Sequence, residues 1–200
     1  MVPGQPPGGL RELRVSLKRH HPTYRKESPN ALIFRTGKVF LTATLATYYL
    51  LVAFTNITDY ATNFRFVEHV LSMDSIPLDP RVQWRAIHST TIHHLFYWII
   101  ILWEFIAGSC CAIGAARLAA SLYPRQRFEA AKTLPIAGLW LGLLLWAFAF
   151  ITVGGEWFLM WESNVWNGES AAFRMFTVNA VALLFLHLPE TWSGPNVDAK

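Results

Sequence analysis

The sequence predicts an all-α, polytopic membrane protein: a four-transmembrane-helix bundle with a short amphipathic helix and an aromatic cap on its outward side. Three observations predict it. Only 15% of the 200 residues are charged while 53% are hydrophobic, whereas a soluble domain carries about 25% charged residues. Four apolar runs approach the roughly 20 residues a helix needs to cross a bilayer core of about 30 Å. Lys and Arg gather on alternate connections between those runs. Such a composition excludes a soluble enzyme and a disordered chain. The two cysteines, adjacent as Cys110 and Cys111, exclude a disulfide framework and a Cys-rich zinc site.

Residues 1–37 read as a basic, partly disordered arm, opening PGQPPGG and continuing RELRVSLKRHHPTYRK. It holds no apolar stretch long enough for a cleavable signal segment. Beside a span, its cations are expected to meet anionic lipid headgroups, with no nucleic-acid partner. Residues 38–190 form the membrane domain, with spans at about 39–57, 95–118, 134–154 and 171–188. The third span begins with Pro135 in its first turn, where a missing N–H costs no helical hydrogen bond. The fourth is stopped by Pro189, and residues 191–200 form a short tail.

The cations set the orientation. Eight Lys and Arg precede the first span, three lie between the first and second, and four lie between the second and third. The link between spans three and four has none, and the tail holds only Lys200. The positive-inside rule therefore predicts cytoplasmic N- and C-termini and two outward connections. Inward segments then carry a net +8 and outward segments −4.

Within the spans, one acid stands out. Glu104 lies near the middle of the second span, where a charge costs several kcal/mol. At helical spacing His93, Tyr97, Glu104, Gly108, Cys111 and Ala115 share one face, and such a polar, small stripe should face the bundle interior. Asn179 lies at the middle of the fourth span, at similar depth, with Thr47 or Tyr48 of the first span nearby. A hydrogen-bonded Glu104–Asn179 pair would satisfy two costly groups together. It reads either as packing glue or as part of a proton, ion or small-molecule path. Gly138 and Gly142, four apart in the third span, allow close helix approach within the bundle or with another subunit.

The outward connections are aromatic. NFRFVEHVLSM, from Asn63 to Met73, puts Phe66, Val70 and Met73 on one side of a short amphipathic helix lying on the bilayer surface. The later loop, GGEWFLMWESNVWNGES, carries Trp157, Trp161 and Trp166 with Glu156, Glu162 and Glu169. These acids are expected to pair with Arg65, Arg81 and Arg85, docking the two loops as a cap that also includes Trp84. His69, His88, His93 and His94 lie on this side with Glu68 and Asp74, but without the spacing of a metal site. No metal and no other cofactor is expected.

TNITDYATNFRFVEHVLSMDS with the following WRAI, and GGEWFLMWESNVWNG with the later AFR, resemble a bacterial family of predicted small integral membrane proteins, a domain of unknown function. The resemblance covers about residues 40–190 and implies four spans in a bacterial inner membrane, so the cap would be periplasmic. It implies no activity, cofactor or catalytic residue. The leading functional expectation is a non-catalytic accessory or structural subunit of a larger inner-membrane complex, with lipid and other membrane subunits as partners. The alternatives are a small channel or transporter using Glu104 and Asn179, and a metal-binding membrane enzyme using the outward histidines.

Overall fold

The computed structural model describes residues 29–77 and 79–189. Its elements are α1 (Pro29–Thr58), α2 (Tyr60–Ser72), a 3₁₀ turn (Gln83–Arg85), α3 (Thr90–Ala120), α4 (Arg125–Ala131) and α5 (Thr133–Leu144). A π-helix (Leu145–Trp157), a second 3₁₀ turn (Met160–Glu162) and α6 (Glu169–His187) complete them. There is no strand among the described residues. Among the described residues, four helical stretches are long and apolar enough to cross a membrane: Asn30–Thr58, Thr90–Ala120, Arg125–Trp157 and Glu169–His187. The bundle is all-α with four spans.

Side chains are sorted as a bilayer requires. On α3, bulky Ile99, Leu102, Phe105 and Ile113 point outward, while Ala107, Gly108, Cys111, Gly114 and Ala115 are buried. Between helices in lipid the gain comes from close van der Waals packing, which small residues permit. α1 packs on α3, α3 on α5, and α6 on α5 and the π-helix. Gly108 brings α3 against α1, where an added Cβ would stand 2.9 Å from Leu50 Cγ. Gly138 brings α5 against α3, where a Cβ would stand 2.7 Å from Cys111 Sγ. The small-residue faces thus serve contacts inside this chain.

Two features depart from the apolar runs. α1 begins at Pro29, so residues 29–37, expected as arm, are helical; the rest of the arm and the tail lie outside the described residues. The helix continues because its cations find the carbonyls at other helix ends. Arg35 Nη1 donates to Leu122 O at 2.7 Å, beside the rings of Tyr123 and Phe128. Lys38 Nζ donates to Leu188 O at 2.5 Å. The last carbonyls of a helix lack intrahelical partners, and cations are favoured there.

The third span is the other departure. Its second half widens into thirteen residues of π-helix, a form rare beyond a single turn. Thr152 Oγ1 donates to Ala147 O at 3.0 Å, five residues back, in keeping with the wider coil. Two residues beyond its end at Trp157, Leu159 takes a left-handed φ of 53° that turns the chain sharply into the cap.

Candidate functional site

Glu104 is 2% exposed, on the inward face of α3. All six residues of the predicted stripe are buried. The carboxylate oxygen Oε2 accepts a hydrogen bond from Asn56 Nδ2 of α1 at 2.8 Å. Asn56 Oδ1 in turn accepts from Asn63 Nδ2 of α2 at 2.6 Å. Tyr97 donates its hydroxyl to the Asn56 carbonyl at 3.3 Å. A chain of three side chains therefore runs from the buried acid through α1 to Asn63, which is exposed.

The expected Glu104–Asn179 pair does not form. Asn179 Nδ2 donates to Tyr49 Oη at 2.7 Å and to Met175 O at 2.8 Å. Trp146 Nε1 donates to the same tyrosine oxygen at 3.1 Å. The physical reason is level: both groups bond α1, but Asn179 meets Tyr49 and Glu104 meets Asn56, about 10 Å further along that helix. Thr47 also leaves the interior, being exposed and bonded to its own helix at Ala43 O, and Tyr48 is half-buried. Tyr49 and Asn56 are the α1 side chains that bond Asn179 and Glu104. They continue its buried stripe of Thr42, Leu45, Ala46 and Ala53 at helical spacing, a signal present in the sequence. Gly142 makes room for this second cluster: a Cβ there would collide with Tyr49 Oη and Asn179 Oδ1.

Glu104 borders a cavity of about 230 Å³ between α1, α2, α3, the π-helix and the start of α6, which Asn56, Asn63, Tyr97, Trp146 and Phe150 also line. A neighbouring cavity of about 260 Å³ is walled almost wholly by apolar side chains, among them Phe96, Ile99, Trp103 and Phe148. Phe96, Ile99 and Phe148 are exposed on the outer surface of the bundle. The two cavities share Phe66, Val67, Ile100 and Phe150 as a common wall. Phe66 and Phe150 stack there with centroids 6.2 Å apart.

The cap docks through rings. Ion pairs between Arg65, Arg81 or Arg85 and the loop acids Glu156, Glu162 and Glu169 are absent among the described residues; Arg81 instead grips Asp79 in its own loop, at 2.7 Å. Arg85 Nη1 donates to Trp157 O at 3.4 Å, and its guanidinium lies over the Trp84 and Trp157 rings. His69 stacks on Trp166 at 4.6 Å, and Ser75 meets Ser163 at 2.9 Å. Guanidinium on indole and ring on ring tolerate desolvation better than separate charges do, which favours them over ion pairs beside a bilayer. Arg65, Glu156 and Trp161 are exposed, and Glu68 is half-buried. The amphipathic helix α2 buries Val67, Val70 and Leu71, and its cap residue Met73 takes a left-handed φ of 52°.

The histidines are dispersed rather than convergent. His69 bonds Asp74 at 2.9 Å, His94 Nδ1 meets Tyr60 Oη at 2.7 Å, and His93 Nε2 meets Ile87 O at 2.7 Å. Among the described residues, no three His, Cys, Asp or Glu come together in a group able to hold a metal ion.

The fold and this interior define a small integral membrane protein with four spans. Residues 34–189 match the family model described as "Predicted small integral membrane protein (DUF2165)". The chain belongs to that family. No curated protein and no solved structure shows significant similarity to it.

Proposed function

We propose that the protein is a non-catalytic accessory subunit of a larger complex in a bacterial inner membrane. The carrying observation is the rim of the cap, where Trp84, Trp157, Trp161 and Val165 remain 47–75% exposed. Trp84 and Trp157 are fixed edge-to-face at 5.7 Å, with Arg85 over both. Rigid, exposed aromatic side chains suit a protein partner because they bury large area with little ordering cost. The distribution of Lys and Arg supports cytoplasmic termini and a periplasmic cap.

Affinity purification in mild detergent tests the reading. A second membrane polypeptide should co-purify in stoichiometric amount, and Trp84→Ala with Trp161→Ala should release it. Recovery of the chain with lipid alone from native membranes contradicts it. A path from Glu104 to Asn179 has less support, because Trp146 lies between them, lining the Glu104 cavity and bonding Tyr49 on the Asn179 side.

A further inference from the structure

The Glu104 carboxyl uses one oxygen within the protein. Oε2 accepts from Asn56, whereas Oε1 has no hydrogen bond among the described residues, and Glu104 makes no ion pair there. The side chain is 98% buried yet borders an open space of about 230 Å³. Tyr97, Trp146, Phe66 and Phe150 present rings to the same space. An acceptor without a donor, set among aromatic faces at membrane depth, is complementary to an N–H-bearing cation. The cation would donate to Oε1 and gain from the ring quadrupoles. Beyond the Phe66–Phe150 partition, the second cavity offers about 260 Å³ of apolar space reaching lipid-exposed Phe96, Ile99 and Phe148.

The geometry points to a binding site for a lipophilic amine. Its protonated nitrogen sits at Glu104 Oε1, and its apolar chain lies against Phe66 and Phe150, the wall shared with the lipid-facing cavity. The amine can be a free amphiphile or the headgroup of an aminophospholipid, since both present an ammonium on an apolar body. This inference is independent of any partner subunit.

Full-length protein in phosphatidylcholine nanodiscs is photolabelled with a diazirine analogue of decylamine, with decylammonium or decanol as competitor. Label should map to the 97–104 stretch of α3 or the 146–150 stretch of the π-helix. Decylammonium should compete about tenfold better than decanol, the difference a single charge-assisted hydrogen bond supplies. Glu104→Gln should abolish that preference. Val52→Trp, which fills the cavity from α1 without altering the carboxyl, should abolish labelling if Glu104→Gln does not fold. Adding phosphatidylethanolamine separates the sources: loss of labelling identifies a lipid headgroup, and persistence identifies a free amine. Equal competition by decanol, labelling confined to other segments, or unchanged preference in folded Glu104→Gln would overturn the site.

Discussion

Asn56 uses both ends of its carboxamide, donating to Glu104 and accepting from Asn63. Asn56→Ala leaves the Glu104 Oε2 acceptor without its donor, at a cost of about 1–3 kcal/mol. Reversible unfolding in mixed micelles should show a loss of this size, and a smaller one for Asn63→Ala, whose position is exposed. Gly142 offers a second residue-scale prediction. Gly142→Ala drives a methyl into Tyr49 Oη and Asn179 Oδ1 and should cost about 1–3 kcal/mol, as overpacking does. Gly37→Ala meets nothing within 4 Å and should be neutral or stabilising by up to about 1 kcal/mol. The same micelle unfolding distinguishes the pair. At this scale the acid was legible because Glu104 interrupts an apolar run. Its partner Asn56 was legible only as one more position on the stripe of Thr42, Leu45, Ala46, Tyr49 and Ala53, because packing decides which level of that stripe meets Glu104.

Helix boundaries and loops behave differently from single residues. The spans could be found from apolar run length, but α1 extends through Arg35 and Lys38 because carbonyls near the ends of α3 and α6 receive those cations. Such contacts join positions remote in sequence and leave no local pattern. The π-helix is likewise invisible in LPIAGLWLGLLLWAFAFITVG, whose hydrophobicity carries no period marking a wider coil. The cap loop makes a titration prediction. Arg81 hydrogen-bonds Asp79 through side chain and backbone and holds its carboxyl down from 3.8 to about 2. Because the folded value is depressed, this contact's contribution is complete above pH 3.8 and is lost as pH falls through about 2. Carbon-13 NMR of the Asp79 carboxyl should show the midpoint near 2 in the wild type, and Arg81→Ala should restore the ordinary value.

For the molecule as a whole, the charge asymmetry between +8 and −4 segments makes a sidedness prediction. A cysteine at the exposed position Asn164 should react with an impermeant maleimide from outside spheroplasts. One at exposed Gln126 should react only after permeabilisation. The reverse pattern would invert the bundle. The four-span architecture was legible because bilayer crossing imposes length and composition on each helix separately. Which helices are neighbours, and in what register, depends on complementary faces that hydropathy does not carry, so Asn179 was wrongly placed level with Glu104. Close packing at Gly108 on α1 and at Gly138 on α5 settles that order. The interior then divides into two polar clusters, Glu104–Asn56–Asn63 and Asn179–Tyr49–Trp146. The first of these clusters borders a cavity at Glu104.

That division is tested most directly by two double-mutant cycles on unfolding free energy, pairing Glu104→Gln with Asn56→Ala and with Asn179→Ala. The first pair should couple by about 0.5–3 kcal/mol and the second should be additive within about 0.5 kcal/mol. Coupling of Glu104 to Asn179 with none to Asn56 would contradict the account.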